Sequence, residues 1–158
     1  MLCYFLILSL FSNNHSIGYT KKLALENQKR LEICSVVHAQ ALKHEVSPIL
    51  AITIAFHESK FTNAAARDGK GFGAMQATPR LWCDTKKKED CDLIEAGIKA
   101  IKTYLEIHDY NELKAVEAYA GKGAKARAYA KRIINQKTKA TIIMESLDHE
   151  NLFIFKSE

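Results

Sequence analysis

The apolar positions of this chain fall mostly at helical spacing. From Lys21 to Glu45, the residues Leu25, Leu31, Ile33, Cys34, Val37, Ala41 and Leu42 form a stripe among Lys, Arg, Glu and Gln. That pattern predicts a long amphipathic helix. It then changes: Ile49 to Phe56 is apolar nearly all round, and a helix without a polar face is buried. Ser47 and Pro48 suit its start, because a serine oxygen accepts from an orphan N–H and proline fits the first helical position. The run closes in His57-Glu58-Ser59-Lys60-Phe61. A carboxylate therefore stands at the end of a helix that has no solvent face.

Residues 59–76 read as a loop with room for a short β-hairpin, since Asn63, Asp68, Gly69, Gly71 and Gly73 supply turn chemistry. Thr78 and Pro79 start a short helix that reaches Trp82. Trp82 is either core or a sugar-stacking platform, and its place beside Cys83 favours core. Asp92, with Glu95 three residues on, has capping-box spacing. It opens a helix to about His108 with a core stripe of Leu93, Ile94, Ile98, Ile101, Tyr104 and Leu105. Asn111 caps another, Glu112 to Ala120. Gly121-Lys122-Gly123 breaks the pattern, and a last helix is expected from about Ala124 to Asn135 with Tyr129 facing inward. Residues 138–158 are mixed and read as a tail of unknown role. The fold class is mainly α: a helical domain with a small loop or β-hairpin beside the buried helix.

Length and charge narrow the classes. A chain of 158 residues suffices for one domain with a proper core. The net charge of +5 suits nucleic acid, a membrane surface or an acidic polymer. No zinc-finger spacing, RNP-type motif or arginine run points to nucleic acid. Leu2 to Phe11 is an apolar run too short to span a bilayer and suited to a signal-peptide core. Ser16 and Gly18 are small residues placed for a cut before Tyr19, although no Lys or Arg precedes the apolar run. Residues 1–18 are thus expected to be a signal peptide or short anchor, with the chain exported to the periplasm or cell envelope. In that compartment Cys83 and Cys91, flanking a polar loop, are expected to pair, and Cys34 reads as a buried structural thiol. His38 and His44 read as surface or capping histidines, since no third metal ligand accompanies them.

The chemistry concentrates at Glu58. Burial disfavours the charged carboxylate, raises its pKa and keeps a proton available for general-acid work; the plainer alternative is an ordinary helix-end carboxylate at the surface. Glu58-Ser59, followed fifteen residues on by Gly73-Ala74-Met75-Gln76, resembles the paired E-S and G-L-M-Q motifs of the lytic transglycosylase domain. The segment from Arg67 to Gln76 is also similar to the matching part of goose-type lysozymes. Glu117-Ala118-Tyr119-Ala120-Gly121 resembles the family's A-Y-N-A-G segment, with Ala120 where the family has Asn, and Tyr129 resembles a later family tyrosine.

The resemblance covers about residues 45–134. It implies a lysozyme-like α+β domain over residues 19–137 that cleaves peptidoglycan glycan strands as a monomer, without metal or cofactor. Glu58 would act as general acid and then base, while the muramic C6 hydroxyl attacks its own C1 to leave a 1,6-anhydro end. Gly73, Met75, Gln76 and Tyr119 would shape the sugar cleft. Ser59 would hold the region around Glu58 or cap the helix end, and Tyr129 would serve the site or the core. Asp68 carries an alternative: in goose-type lysozymes the matching Asp positions water, so Glu58 and Asp68 together would make a hydrolase. A second alternative is a wall-binding or assembly component of a secretion, conjugation or phage apparatus with a dead site, suggested by the missing Asn after Tyr119.

Overall fold

The computed structural model describes residues 3, 21–66, 69–87 and 89–154, with the backbone alone for 21–25, 143 and 146–154. The apolar N-terminal run apart from Cys3, the expected cut before Tyr19, and Asp68 lie outside these residues. The fold is mainly helical. The described helices are α1 (Lys21–Lys43), α2 (Pro48–Ser59), α3 (Pro79–Trp82), α4 (Leu93–Ile107), α5 (Glu112–Ala120) and α6 (Ala124–Ile154).

Helix α2 is the centre. Leu50 to Phe56 are all buried, including Thr53, whose hydroxyl donates to the Ile49 carbonyl at 2.7 Å. That bond removes the cost of sinking a polar group among apolar ones. Ser47 caps the start by accepting from the Leu50 N–H at 3.4 Å. Lys60, in the left-handed region at φ 57°, ends the helix by donating its N–H to Phe56 O. Helices α1 and α6 pack on α2, α4 packs on α1, and α5 bridges α4 and α6. The shared core includes Val37, Leu50, Ile54, Phe61, Met75, Ile98, Ile101, Val116 and Ile133.

The polar caps fix where the outer helices begin. Asp92 accepts from the Ile94 and Glu95 N–H groups at 3.0 and 2.9 Å, and Asn111 from the Lys114 N–H at 3.1 Å. Each side chain satisfies orphan donors of a first turn. His44 and Lys43 both reach Glu95 Oε1, at 2.9 and 3.0 Å, and so tie α1 to α4. Lys43 first, then His44, holds the Glu95 carboxyl down at about 2.

Two expectations change. The last helix does not stop near Asn135 but continues to Ile154, so the boundary drawn at residue 137 falls inside a continuous element. Nothing interrupts it: residues 124–154 contain neither Gly nor Pro. Thr138 and Thr141 donate to the Ile134 and Lys137 carbonyls, each at 3.0 Å, which accommodates them inside the helix. Second, Cys34 is no free thiol. It is fully buried and bonded to Cys3, while Cys83 is bonded to Cys91.

The loop beside α2 forms isolated antiparallel bridges, Ala65 to Phe72 and Phe72 to Ala77, and no sheet among the described residues. Phe72 and Ala77 exchange both backbone bonds, at 2.9 and 3.0 Å. Among the described residues no helix is long and apolar enough to cross a membrane.

Candidate active site

A cleft of about 800 Å³ opens between Ala66 and the loop from Lys70 to Thr78, α3, α4 and the paired helices α5 and α6. That volume lies in the range of sites that enclose an extended small ligand. Glu58, in the last turn of α2, reaches into it. The Tyr129 hydroxyl, on α6, donates to Glu58 Oε1. Burial pushes the Glu58 carboxyl up from its ordinary value of 4.5, and the Tyr129 bond pulls partly the other way because it favours the charged form. Burial first, and the neighbouring Glu58 charge second, hold both Tyr129 and Tyr119 well above the usual phenol value. Both tyrosines are therefore neutral hydrogen-bond donors across the ordinary pH range.

The loop wall is built from the second motif. Gly73 sits at φ 72°, the left-handed region where glycine is unstrained, and a Cβ there would meet Leu93 at 3.0 Å. Gln76, also left-handed at φ 49°, folds its side chain back on its own loop. Its Nε2 donates to the Ala64 and Gly73 carbonyls at 2.7 and 2.8 Å. Ser59 joins this wall to α2: its hydroxyl donates to Ala74 O at 2.9 Å and accepts from the Thr62 N–H at 3.0 Å. Met75 is completely buried and points into the core, while its carbonyl accepts from the Tyr119 hydroxyl.

Asp68 apart, which lies outside the described residues, the residues singled out in the sequence fall in two layers around the cleft. Glu58, Gln76, Tyr119 and Tyr129 line the cleft. Ser59, Gly73 and Met75 are linked to the same wall through Ala74 O, Leu93 and the Tyr119 bond and hold it in place. Trp82 is both part of the packing and part of the cleft lining. It packs on Ala77, Cys83 and Ala96, stands edge-on to Tyr104 with centroids 5.6 Å apart, and lines the cleft.

Three features escaped the sequence reading. Gly97 on α4 lies against Met75, where a Cβ would come within 2.3 Å of Met75 Cβ. His57 turns away from Glu58 and donates from Nε2 to Gln136 Oε1 on α6, with its ring edge-on to Tyr129 at 6.3 Å. Burial holds His57 below its ordinary value, so the imidazole stays neutral. Lys125 and Arg132 join Tyr129 along the α6 side of the cleft. The spacing of 125, 129 and 132, one helix face, was the available signal. Among the described residues no group of His, Cys, Asp and Glu could hold a metal ion.

The chemical capacity follows. A partly buried carboxyl whose pKa burial raises, oriented by a neutral phenol, faces a cleft with an aromatic wall. That is the equipment of a general acid acting on a sugar-sized ligand. Compared with protein-family models, curated proteins and solved structures, the chain matches none.

Proposed function

We propose that this chain is a peptidoglycan lytic transglycosylase of lysozyme-like α+β type, exported to the cell envelope and acting on glycan strands. The observation that carries the proposal is the Glu58–Tyr129 pair at the floor of the cleft, with Glu58 the one carboxylate among the described residues lining it. Ordinary glycosidases need two carboxylates, one as acid and one as nucleophile or base. A transglycosylase needs one, because the nucleophile is already part of the substrate and proximity replaces the second group.

In the proposed reaction, Glu58 gives its proton to the glycosidic oxygen between N-acetylmuramic acid and N-acetylglucosamine. The bond from muramic C1 to that oxygen breaks. The muramic C6 hydroxyl oxygen bonds to C1, and its proton passes to the Glu58 carboxylate, which restores the acid. No water is consumed. Tyr129 holds the carboxyl in place and stabilises the anion that exists between the two proton transfers. Gln76 and Tyr119, fixed by their own bonds, keep the wall rigid, and Trp82 offers a face to a sugar ring.

The hydrolase reading keeps one support: Ala66 and Lys70, which flank the stretch containing Asp68, both line the cleft. A murein zymogram with wild type and Glu58→Gln, followed by mass spectrometry of the soluble products, separates the readings. Products one water lighter than the reducing-end sugars, lost in Glu58→Gln, are expected. Reducing ends throughout would assign a hydrolase, and the absence of any clearing band would leave a wall-binding component.

A further inference from the structure

The cleft has an uneven charge that acid catalysis does not use. On its α6 side, Lys125, Tyr129 and Arg132 follow one another at i, i+4 and i+7, so one helix face carries a cation one turn to either side of the tyrosine that holds Glu58. The two cations are about 10 Å apart along the helix axis. Both are exposed and both line the cleft. Arg132 also lies over the Tyr129 ring, 5.7 Å from its centroid. Among the described residues neither cation has a carboxylate within ion-pair distance, whereas nearby Arg127, off the cleft, approaches Glu117 at 3.7 Å. Facing them, the described carboxylate of the cleft is Glu58, partly buried and driven toward its neutral form. The opposite side, Leu81, Trp82 and Tyr104, is apolar and aromatic.

We infer that Lys125 and Arg132 form a carboxylate-reading edge that makes the enzyme select glycan strands whose muramic residues carry anionic substituents over neutral glycan. The inference rests on the glycan-cleaving reading above and deepens it. An exposed cation pair set beside a site attracts anions and fixes their register along the groove. The apolar side takes the sugar faces, and the charged edge takes whatever projects from them on the other side. In native murein that chemistry comes from the free carboxylates of the stem peptide; the lactyl carboxylate offers the same charge only where the peptide has been removed.

The test compares initial rates of the full chain on three substrates. These are native murein, the same murein with its carboxylates converted to amides, and peptide-stripped glycan that keeps the lactyl carboxylate. Wild type should cleave native murein about tenfold faster than the amidated form, the size of one charge-assisted contact. In Lys125→Gln/Arg132→Gln that ratio should fall towards one, and Lys125→Arg/Arg132→Lys should restore it. The ratio is taken within each protein, so a general loss of activity cancels. Cleavage of the stripped glycan as fast as native murein shows that the freed lactyl carboxylate can stand in for those of the stem peptide, and slow cleavage assigns the selection to the stem-peptide carboxylates alone. Equal wild-type rates on native and amidated murein, or an unchanged ratio in the double Gln variant, would overturn the inference while leaving glycan cleavage intact. No cleavage of any murein by wild type would remove both.

Discussion

Gly97→Ala is the sharpest test of how the loop wall is held. An added Cβ would lie 2.3 Å from Met75 Cβ and 2.9 Å from Met75 Cγ. Ordinary carbon–carbon contact is about 3.5–4.0 Å, so α4 and the Gly73–Gln76 turn must separate by about 1 Å or more. The obstacle is a Cβ fixed to backbone rather than the free end of a flexible chain, so rotamer change gives no escape. Ala is the better helix former by about 1 kcal/mol, while overpacking a filled core costs about 1–3 kcal/mol, occasionally more. The clash wins. We expect a net loss of about 1–2 kcal/mol in urea unfolding, read as a lower midpoint at unchanged slope. Activity should fall further than stability, because the Met75 carbonyl that accepts from Tyr119 moves with the turn. In a Met75→Gly background, where the clashing Cβ is gone, the same change should cost nothing or stabilise by up to about 1 kcal/mol. A gain of about 1 kcal/mol from Gly97→Ala in the wild-type background, with full activity, would refute the close packing of α4 on the turn.

Glu58→Gln should abolish murein clearing yet stabilise the fold at neutral pH. With a folded pKa raised by burial, the carboxyl's contribution to folding is fully present below its ordinary 4.5 and is lost as pH rises through the folded value. The variant's advantage in melting temperature should therefore grow with pH over that window. Tyr129→Phe removes the hydrogen bond that lowers the Glu58 pKa. The alkaline limb of the pH–rate profile should move to higher pH, with the maximal rate down about tenfold. Replacing Cys83 and Cys91 together by Ser should cost about 2–3 kcal/mol in the loop-entropy model, measured by denaturant unfolding, because the bond closes a loop of sequence separation 8.

The sequence by itself determined the helices whose causes are local. The all-round apolar run of α2 could only be buried, and Ser47, Asp92 and Asn111 could be recognised as caps because capping depends on a side chain and the next three N–H groups. Glu58 stood out for the same reason, as a carboxylate at the end of a buried helix. What the tertiary structure decided depends on residues far apart in the chain. Tyr129 reaches Glu58 across 71 positions and Tyr119 reaches Met75 across 44, and no periodicity encodes such a meeting. Gly97 looked like one more small residue on α4 until Met75 was packed against it. The length of α6 could have been read from its lack of Gly and Pro, but mixed apolar positions after Thr138 hid the continuous helix. Local chemistry is written in neighbouring residues. The cleft, the hydrogen-bond partner of its carboxyl and its charged edge arise only when α2, α4, α5 and α6 are brought around one core, because burial and hydrogen bonding act through space.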